Sequence, residues 1–399
     1  MENVFDRTEL HLNLLRKEVE ETFGRRISSS RDCNLLSEEI YSKTSFTINP
    51  NTLRRLFGLV KANHPPSGGT VTILANYCGF KSLEELAVSK KRTEKINGGD
   101  HQSDDILNYL ISLFITTPVK GYHNETFLAF VKHTIQFVQL DQNMFDRFHR
   151  AIAKTKNGQD FYFEQFINLD ALSTYYGDGL RYYLAEKKTA EAQIFGHALL
   201  CLRGWLMDDA EEVEKHYEIV MHQKLNRSIH PFVCGRYYVT QLLYRDIKGI
   251  ETENLLISAR HTHASLKPDN DRFFGFPSFE YVIAPGLLLT GHFDEALYYI
   301  NYALKQYPDK QSFIQEGFYQ GLEQLKALTL VKNGKKAEAE KIYQQIKPSA
   351  FYFLTKKTLT IMYLILTQLL NKNHEKSDQQ LMELIEQTEF KKLLDILKK

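Results

Sequence analysis

The residue types best suited to recognition chemistry cluster in one short stretch near position 50. Asn49 is a candidate helix N-cap and Pro50 suits the first turn of a helix, so the sequence predicts a helix that begins there. Apolar side chains at helical spacing give this helix one buried face: Leu53, Leu56, Phe57 and Val60. Polar side chains occupy the other face: Asn51, Thr52, Arg54, Arg55 and Lys61. Amide and guanidinium groups in such a row are suited to paired hydrogen bonds with the edges of nucleic-acid bases.

A local excess of basic side chains surrounds this helix, although the charges of the whole chain nearly cancel. The 399 residues include 50 basic and 49 acidic ones, so no bulk field favours nucleic acid or membrane. Residues 25–61 alone hold seven basic and three acidic side chains, with Arg25 and Arg26 at the start. A surface that contacts phosphates requires such an excess. A solvated face on a protein-binding helical domain would carry it equally well.

His261 and His263 invite a metal-binding interpretation. Positions two apart on a helix point about 200° away from each other, which is poor geometry for chelation. No carboxylate lies at helical spacing to complete a site, and the HExxH, GxSxG and CxxC patterns are absent. The sequence therefore predicts no metal, no cofactor and no enzymatic activity.

The cysteines and the apolar segments indicate a cytoplasmic protein. Four cysteines are widely scattered, which suits buried thiols in a reducing compartment: Cys33, Cys78, Cys201 and Cys234. The first residues, MENVFDRTELHL, are charged and amphipathic, unlike a secretory signal peptide. The most apolar run, residues 359–370, is too short to span a bilayer. We therefore expect no membrane association.

The elements around the polar helix form a compact helical set. Helices are predicted over residues 4–23 and 32–43, from Pro50 onward, over 70–78 and over 83–87. Ser82 and Glu85 form a capping box for the last of them. Residues 89–103 are almost free of apolar side chains and contain a Gly-Gly pair, which predicts a linker.

Residues 36–80 resemble the repressor-like helix-turn-helix domains. LSEEI would begin the second helix, NPNTLRRLFG would be the recognition helix and TVTILANYCGF the supporting fourth helix. In such domains the recognition helix enters the major groove of double-stranded DNA. The link between the second and third helices is about five or six residues here, whereas a tight motif has three or four.

Residues 286–308, GLLLTGHFDEALYYINYALKQYP, carry the other sequence signature. After Gly291 the small residues Ala296 and Ala303 let a neighbouring helix approach closely, and Pro308 ends the helix. This spacing resembles the second helix of a tetratricopeptide repeat. A second copy at residues 334–348 has Ala339 and Ile346 in the corresponding places and starts 43 residues later, against about 34 for the ideal repeat.

The sequence thus predicts an all-α protein with a helix-turn-helix domain and an α-solenoid of degenerate tetratricopeptide-like hairpins. The expected boundaries are residues 1–88, a linker at 89–103 and repeats at 104–399. The joined architecture resembles bacterial transcription regulators that sense a peptide or protein. That resemblance implies a cytoplasmic homodimer without a cofactor. The alternative is an interaction scaffold whose N-terminal helices bind protein rather than DNA.

The resemblance also implies where a peptide or protein would bind. Solenoids hold extended peptides on the side chains of the first helix of each repeat, here about residues 232–244, 277–290 and 313–332. The candidate contacts on these helices are Arg236, Tyr237, Gln241, Tyr281, Gln315, Tyr319 and Gln324. Each of them could equally be a contact between helices.

Overall fold

A computed structural model describes most of the chain, and the described part is mainly helical. It covers residues 4–61, 66–83, 85–86, 99–121, 124–139, 141, 143–226, 229–266, 278–306, 313–372 and 374–398. No β-strand occurs within these ranges, which confirms the all-α prediction. The chain divides into two compact units, Met1–Ile106 and Leu107–Lys399. None of the described helices is both long and apolar enough to cross a membrane.

The first unit is built from short helices around its own small core. The helices are α1 (Val4–Phe23), α2 (Ser30–Thr44), α3 (Pro50–Leu56) and α4 (Gly68–Tyr77). Helix α2 packs against both α3 and α4, and α1 packs against α4. The centre of this core consists of fully buried aliphatic side chains: Leu15, Val19, Leu36, Ile40, Leu53 and Leu74.

Helix α3 is shorter than its sequence predicts. Leu53 and Leu56 are buried as expected, but Phe57 is the C-cap and only partly buried. At Gly58 the chain adopts a φ of +73°, a left-handed conformation that glycine tolerates and that ends the helix. Val60 therefore leaves the apolar stripe, and the expectation that it is buried is wrong.

The predicted linker is also shorter than expected. Helix α5 (Gly99–Thr116) already includes residues 99–103, so this part of the linker prediction is wrong. A helix held by the apolar residues from Leu107 onward can extend through polar residues, because its backbone hydrogen bonds need no apolar side chains. Residues 89–98 lie outside the described residues.

The second unit begins with an aromatic-rich helical segment. It contains the remainder of α5, then α6 (Glu125–Val138), α7 (Met144–Ile152), a π-helix (Gly158–Gln165), a 3-10 turn (Leu169–Ala171) and α8 (Tyr175–Glu186). The sequence predicts one helix over residues 161–176, whereas the structure has the π-helix, the turn and the start of α8. Asp170 in the turn accepts hydrogen bonds from the backbone N–H groups of Lys357 and Thr358, at 2.8 and 2.9 Å.

Five helical hairpins follow. Their helices are α9 (Ala190–Met207) with α10 (Ala210–Met221), α11 (Pro231–Lys248) with α12 (Glu253–Ser265), α13 (Phe279–Leu289) with α14 (Phe293–Gln306), α15 (Phe313–Lys332) with α16 (Lys336–Tyr343), and α17 (Lys356–Leu369) with α18 (Glu375–Thr388). The first helices of successive hairpins pack side by side, from α9 through α11, α13 and α15 to α17. A C-terminal 3-10 segment (Lys391–Leu397) contacts both α17 and α9.

The small residues singled out in the sequence lie where helices meet. Ala296, Ala303 and Ala339 are fully buried, and Gly291 has a φ of +85° in the turn between α13 and α14. This confirms the predicted packing stripe of α14. Glycine also sets the spacing between first helices: a Cβ on Gly286 of α13 would lie 2.9 Å from a methyl carbon of Val239 on α11. The backbones of α11 and α13 therefore come closer than larger residues would permit.

Candidate functional site

Helix α3 presents its polar face on the surface of the first unit. Asn51 and Arg55 are exposed, Thr52 is partly exposed, and Asn49 is the exposed N-cap. Lys61 is exposed too, but it lies beyond the end of α3 at Leu56, so its predicted place on the polar face of this helix is wrong. The Asn49 carboxamide caps the helix by accepting a hydrogen bond from the Asn51 backbone N–H at 2.9 Å, as the sequence predicts. The five residues between Thr44 and Pro50 include Ser45 in the left-handed conformation (φ 61°). After this turn α3 packs against α2.

Arg54 has a different environment from Arg55. Its guanidinium donates to the side-chain oxygen of Asn51 at 2.8 Å and to that of Asn34, on α2, at 3.3 Å. Its Nε is buried and has no hydrogen-bond partner. Arg54 therefore links α2 to α3, and its head group is held in a fixed direction. Asn34 was not singled out in the sequence because its role depends on the packing of two helices.

Arg25 and Arg26 lie just ahead of α2. The Arg25 guanidinium is 3.2 Å from a carboxylate oxygen of Asp32 and lies over the Phe23 ring at 5.2 Å. The Ser29 hydroxyl donates to the Asp32 carboxylate and is the largest cause that lowers its pKa. Arg26 is exposed. The carboxylate of Asp32, at the start of α2, thus partly neutralises the charge of Arg25.

Apolar side chains are exposed on α2, the turn and the end of α3. The exposed fractions are 39% for Leu35, 58% for Tyr41, 55% for Phe46 and 49% for Val60. Isolated exposed apolar residues are ordinary on protein surfaces. All four lie within residues 35–60 and are accessible to a protein partner.

In the second unit the predicted ligand contacts divide into separate groups. Arg236 on α11 lies near two tyrosines, Tyr281 on α13 and Tyr176 on α8. Tyr237 and Gln241 instead line an open groove of about 310 Å³ with Tyr238, Arg245 and Asn254. Arg236 and Tyr237 are successive residues of α11 and point about 100° apart, so they face different parts of the second unit.

The candidates on α15 do not form a ligand-facing row. Gln324 is fully buried, and its amide donates to the Leu359 carbonyl on α17 at 2.8 Å. It is a contact between first helices, which corrects its assignment to a binding surface: position 324 faces the neighbouring hairpin. Tyr319 is partly buried. The side chain of Gln315 lies outside the described residues.

Arg236 is partly buried in the second unit. Its guanidinium carbon is 5.1 Å from the centre of the Phe232 ring, and its Nε is sealed from solvent without a hydrogen-bond partner. Burial lowers the pKa of Arg236 to about 10, against the opposing influence of Tyr176 and Tyr281. The side chain nevertheless remains charged at neutral pH and keeps some exposed surface.

Phe232, which contacts Arg236, also lines a cavity of about 150 Å³. Ala192, Phe195 and Val233 also line the cavity, together with Glu164, Lys187 and Glu191. The Lys187 ammonium is 2.5 Å from Glu164 and 3.0 Å from Asp160. Burial raises the pKa of Glu164, and Lys187 opposes that shift. The sequence did not reveal this space because the π-helix that supplies Glu164 has no sequence periodicity of its own.

No family of known proteins, no curated protein and no solved structure matches this chain. Within the described ranges, no group of three or more His, Cys, Asp or Glu side chains could hold a metal ion. Of the histidine pair, His263 has its Nε2 2.6 Å from a Glu280 carboxylate oxygen, and His261 is exposed.

Proposed function

We propose that this chain is a bacterial, cytoplasmic, DNA-binding transcription regulator. The observation that carries the proposal is the surface of α3, where the exposed Arg55 and Asn51 stand beside an Arg54 held by Asn34 on the preceding helix. A recognition helix needs polar groups whose directions are fixed before DNA arrives, because rigid side chains lose less entropy on binding. The basic excess around α3 supplies the attraction to phosphates.

In this proposal the hairpins of the second unit form an α-solenoid that binds a peptide or protein and mediates homodimerisation. The support is the side-by-side array of first helices, which brings Arg236 of α11 next to Tyr281 of α13. A ligand that touches several first helices at once would change their spacing. The DNA-binding units of a dimer would then be held at a different separation.

The exposed apolar side chains of the first unit favour a second candidate function. Leu35, Tyr41 and Phe46 would suit a scaffold whose N-terminal helices bind another protein. In that case α3 would carry no nucleic-acid contacts, and the basic residues around it would be solvated.

A mobility-shift assay with the duplex upstream of the chain's own gene separates the two functions. The regulator predicts a shifted complex whose affinity falls steeply as salt rises, because bound Lys and Arg displace counterions. The scaffold predicts no complex at low salt, and a complex with a protein partner instead. A salt-independent shift would also argue against DNA binding through the basic face.

A further inference from the structure

Arg236 is a charged group that the described residues leave without an ionic partner. No carboxylate of the described chain contributes to its electrostatic surroundings, whereas the tyrosines at 176 and 281 do. Its Nε has no hydrogen-bond partner. Arg236 is only partly buried, so its Nε is sealed from water while the rest of the guanidinium can still meet a ligand. A partly buried cation without an ionic partner among the described residues is suited to an anionic ligand.

The surroundings of Arg236 are aromatic and come from separate elements of the second unit. Tyr281 of α13 is 4.9 Å from Phe318 of α15, and Phe318 is 5.7 Å from Tyr352, measured between ring centres. Tyr176 of α8 is near both Arg236 and Tyr352. A Cβ on Gly317 would lie 2.9 Å from the Tyr352 Cβ, so α15 lies directly against this wall. Aromatic walls around one cation exclude water and strengthen an ion pair formed there.

We propose that Arg236 binds a carboxylate of the peptide recognised by the second unit. This inference rests on the proposed peptide-binding function. A carboxylate fits better than a phosphate, because one guanidinium matches one negative charge and no second Lys or Arg of the described residues joins Arg236. Phe232 contacts Arg236 and also lines a cavity of about 150 Å³, whose lining includes Phe195 and Val233 together with Glu164, Lys187 and Glu191. This cavity has room for a neighbouring side chain of the peptide.

The first experiment asks whether Arg236 serves the fold or the ligand. Arg236→Met removes the charge and keeps most of the volume, and the thermal midpoint of the full-length, ligand-free protein is measured. We expect the midpoint to rise by about 2–4 °C, since a partly buried charge without an ionic partner is lost. Arg181→Gln is the matched control, because Arg181 is an exposed arginine of the same unit with Asp178 at 3.9 Å. A clear fall in the midpoint for Arg236→Met would identify a structural arginine and overturn the proposal.

The second experiment measures the carboxylate preference directly. Immobilised full-length protein is exposed to pools of short randomised peptides, with retention counted by mass spectrometry. One pool has free C-termini, one is amidated, and one is amidated and lacks Asp and Glu. We expect wild type and Arg181→Gln to retain carboxylate-bearing peptides roughly tenfold over the pool without carboxylates, and Arg236→Met to lose that preference.

The pools also show whether the carboxylate is a C-terminus or an acidic side chain. If the expected preference is not found, they show whether the role of Arg236 or peptide binding itself is wrong. Loss on amidation assigns the C-terminal carboxylate, whereas loss only on removal of Asp and Glu assigns an acidic side chain. Equal retention of all pools by wild type would overturn the role of Arg236 and leave peptide binding intact. Retention of no peptide would overturn the proposed peptide-binding function, and the inference with it.

Discussion

Arg54 and Arg55 are neighbours in the sequence but have different positions in the first unit. Successive residues of a helix point about 100° apart, so one side chain reaches back to α2 while the next extends into solvent. Arg54 contacts Asn34 and Asn51 and has a buried Nε, whereas Arg55 is exposed. The sequence predicts that both lie on the polar face of α3, and only the packing of α2 separates their roles.

This difference predicts unequal effects on stability. Arg54→Ala should lower the free energy of unfolding of the first unit by about 1 kcal/mol, because two hydrogen bonds between side chains are lost. Arg55→Ala should leave it unchanged, since Arg55 is exposed. Urea titrations followed by circular dichroism measure both, and equal losses for the two variants would contradict the assigned positions.

His149 should make the second unit less stable in acid. It is fully enclosed with its Nε2 2.7 Å from the Tyr162 hydroxyl, and burial lowers its pKa to about 3. The unfolded chain binds this proton below its ordinary pKa of about 6.5, while the folded chain resists it until about pH 3. The contribution of His149 to the free energy of unfolding is therefore kept above pH 6.5 and lost as the pH falls from 6.5 towards 3. Between pH 7 and pH 5 the free energy of unfolding should decrease by about 2 kcal/mol.

Urea titrations at these two pH values, on wild type and on His149→Gln, measure this contribution. Burial also lowers the pKa of His197 and of His216, so a slope of the same sign remains in the variant. Between pH 7 and pH 5, His149→Gln should lose about 2 kcal/mol less of its free energy of unfolding than wild type does. His222→Gln, at an exposed histidine, should lose as much as wild type. An unchanged slope in His149→Gln would mean that this histidine takes up its proton in the folded state.

At the scale of the elements, the stripe of small residues on α14 sets the spacing of the hairpins. Ala296→Leu should destabilise the second unit by roughly 1–3 kcal/mol, because Ala296 is fully buried where helices meet and the larger side chain overpacks it. Ala337→Leu is the matched control, since Ala337 is exposed on α16. Thermal melts of both variants test this. If Ala337→Leu lowered the thermal midpoint as much as Ala296→Leu, the buried contact between helices would not lie at Ala296.

Helices with strong end signals could be predicted from the sequence, and the others only in part. Asn49 with Pro50 predicts the start of α3, and Gly291 predicts the turn before α14. The end of α3 at Gly58 was missed, because Val60 continues the apolar spacing beyond the last helical turn. Gln324 was misassigned because polarity alone does not reveal that its amide donates to a carbonyl of the next hairpin. Such contacts depend on which helix lies opposite.

At the scale of the whole molecule, contacts far apart in the sequence organise the second unit. Asp170 accepts hydrogen bonds from Lys357 and Thr358 at the start of α17, and Lys392 of the C-terminal segment is 2.8 Å from Asp208 after α9. A carboxylate at a helix start stabilises the positive end of the helix dipole. Periodicity within a short window predicts the helices but carries no information about such distant partners.

Removal of the first unit should leave the second folded. The division between the units lies at Ile106 and Leu107, and each has its own core. A chain without residues 1–95 keeps all of α5 and should retain a cooperative thermal transition and full helical content for its length. Loss of the transition would mean that the two units fold as one domain. The proposal of a DNA-binding unit and a separate ligand-binding unit would then be wrong.

The most direct test of DNA binding through α3 compares two duplexes, the upstream region and a scrambled version, by fluorescence anisotropy at physiological salt. Full-length wild type and Arg181→Gln should prefer the upstream duplex. Arg55→Ala should keep its fold and lose about 1–3 kcal/mol of that preference, because an exposed arginine of the recognition helix no longer reaches a base edge. Equal preference in Arg55→Ala and wild type, or no binding of either duplex by wild type, would contradict the account.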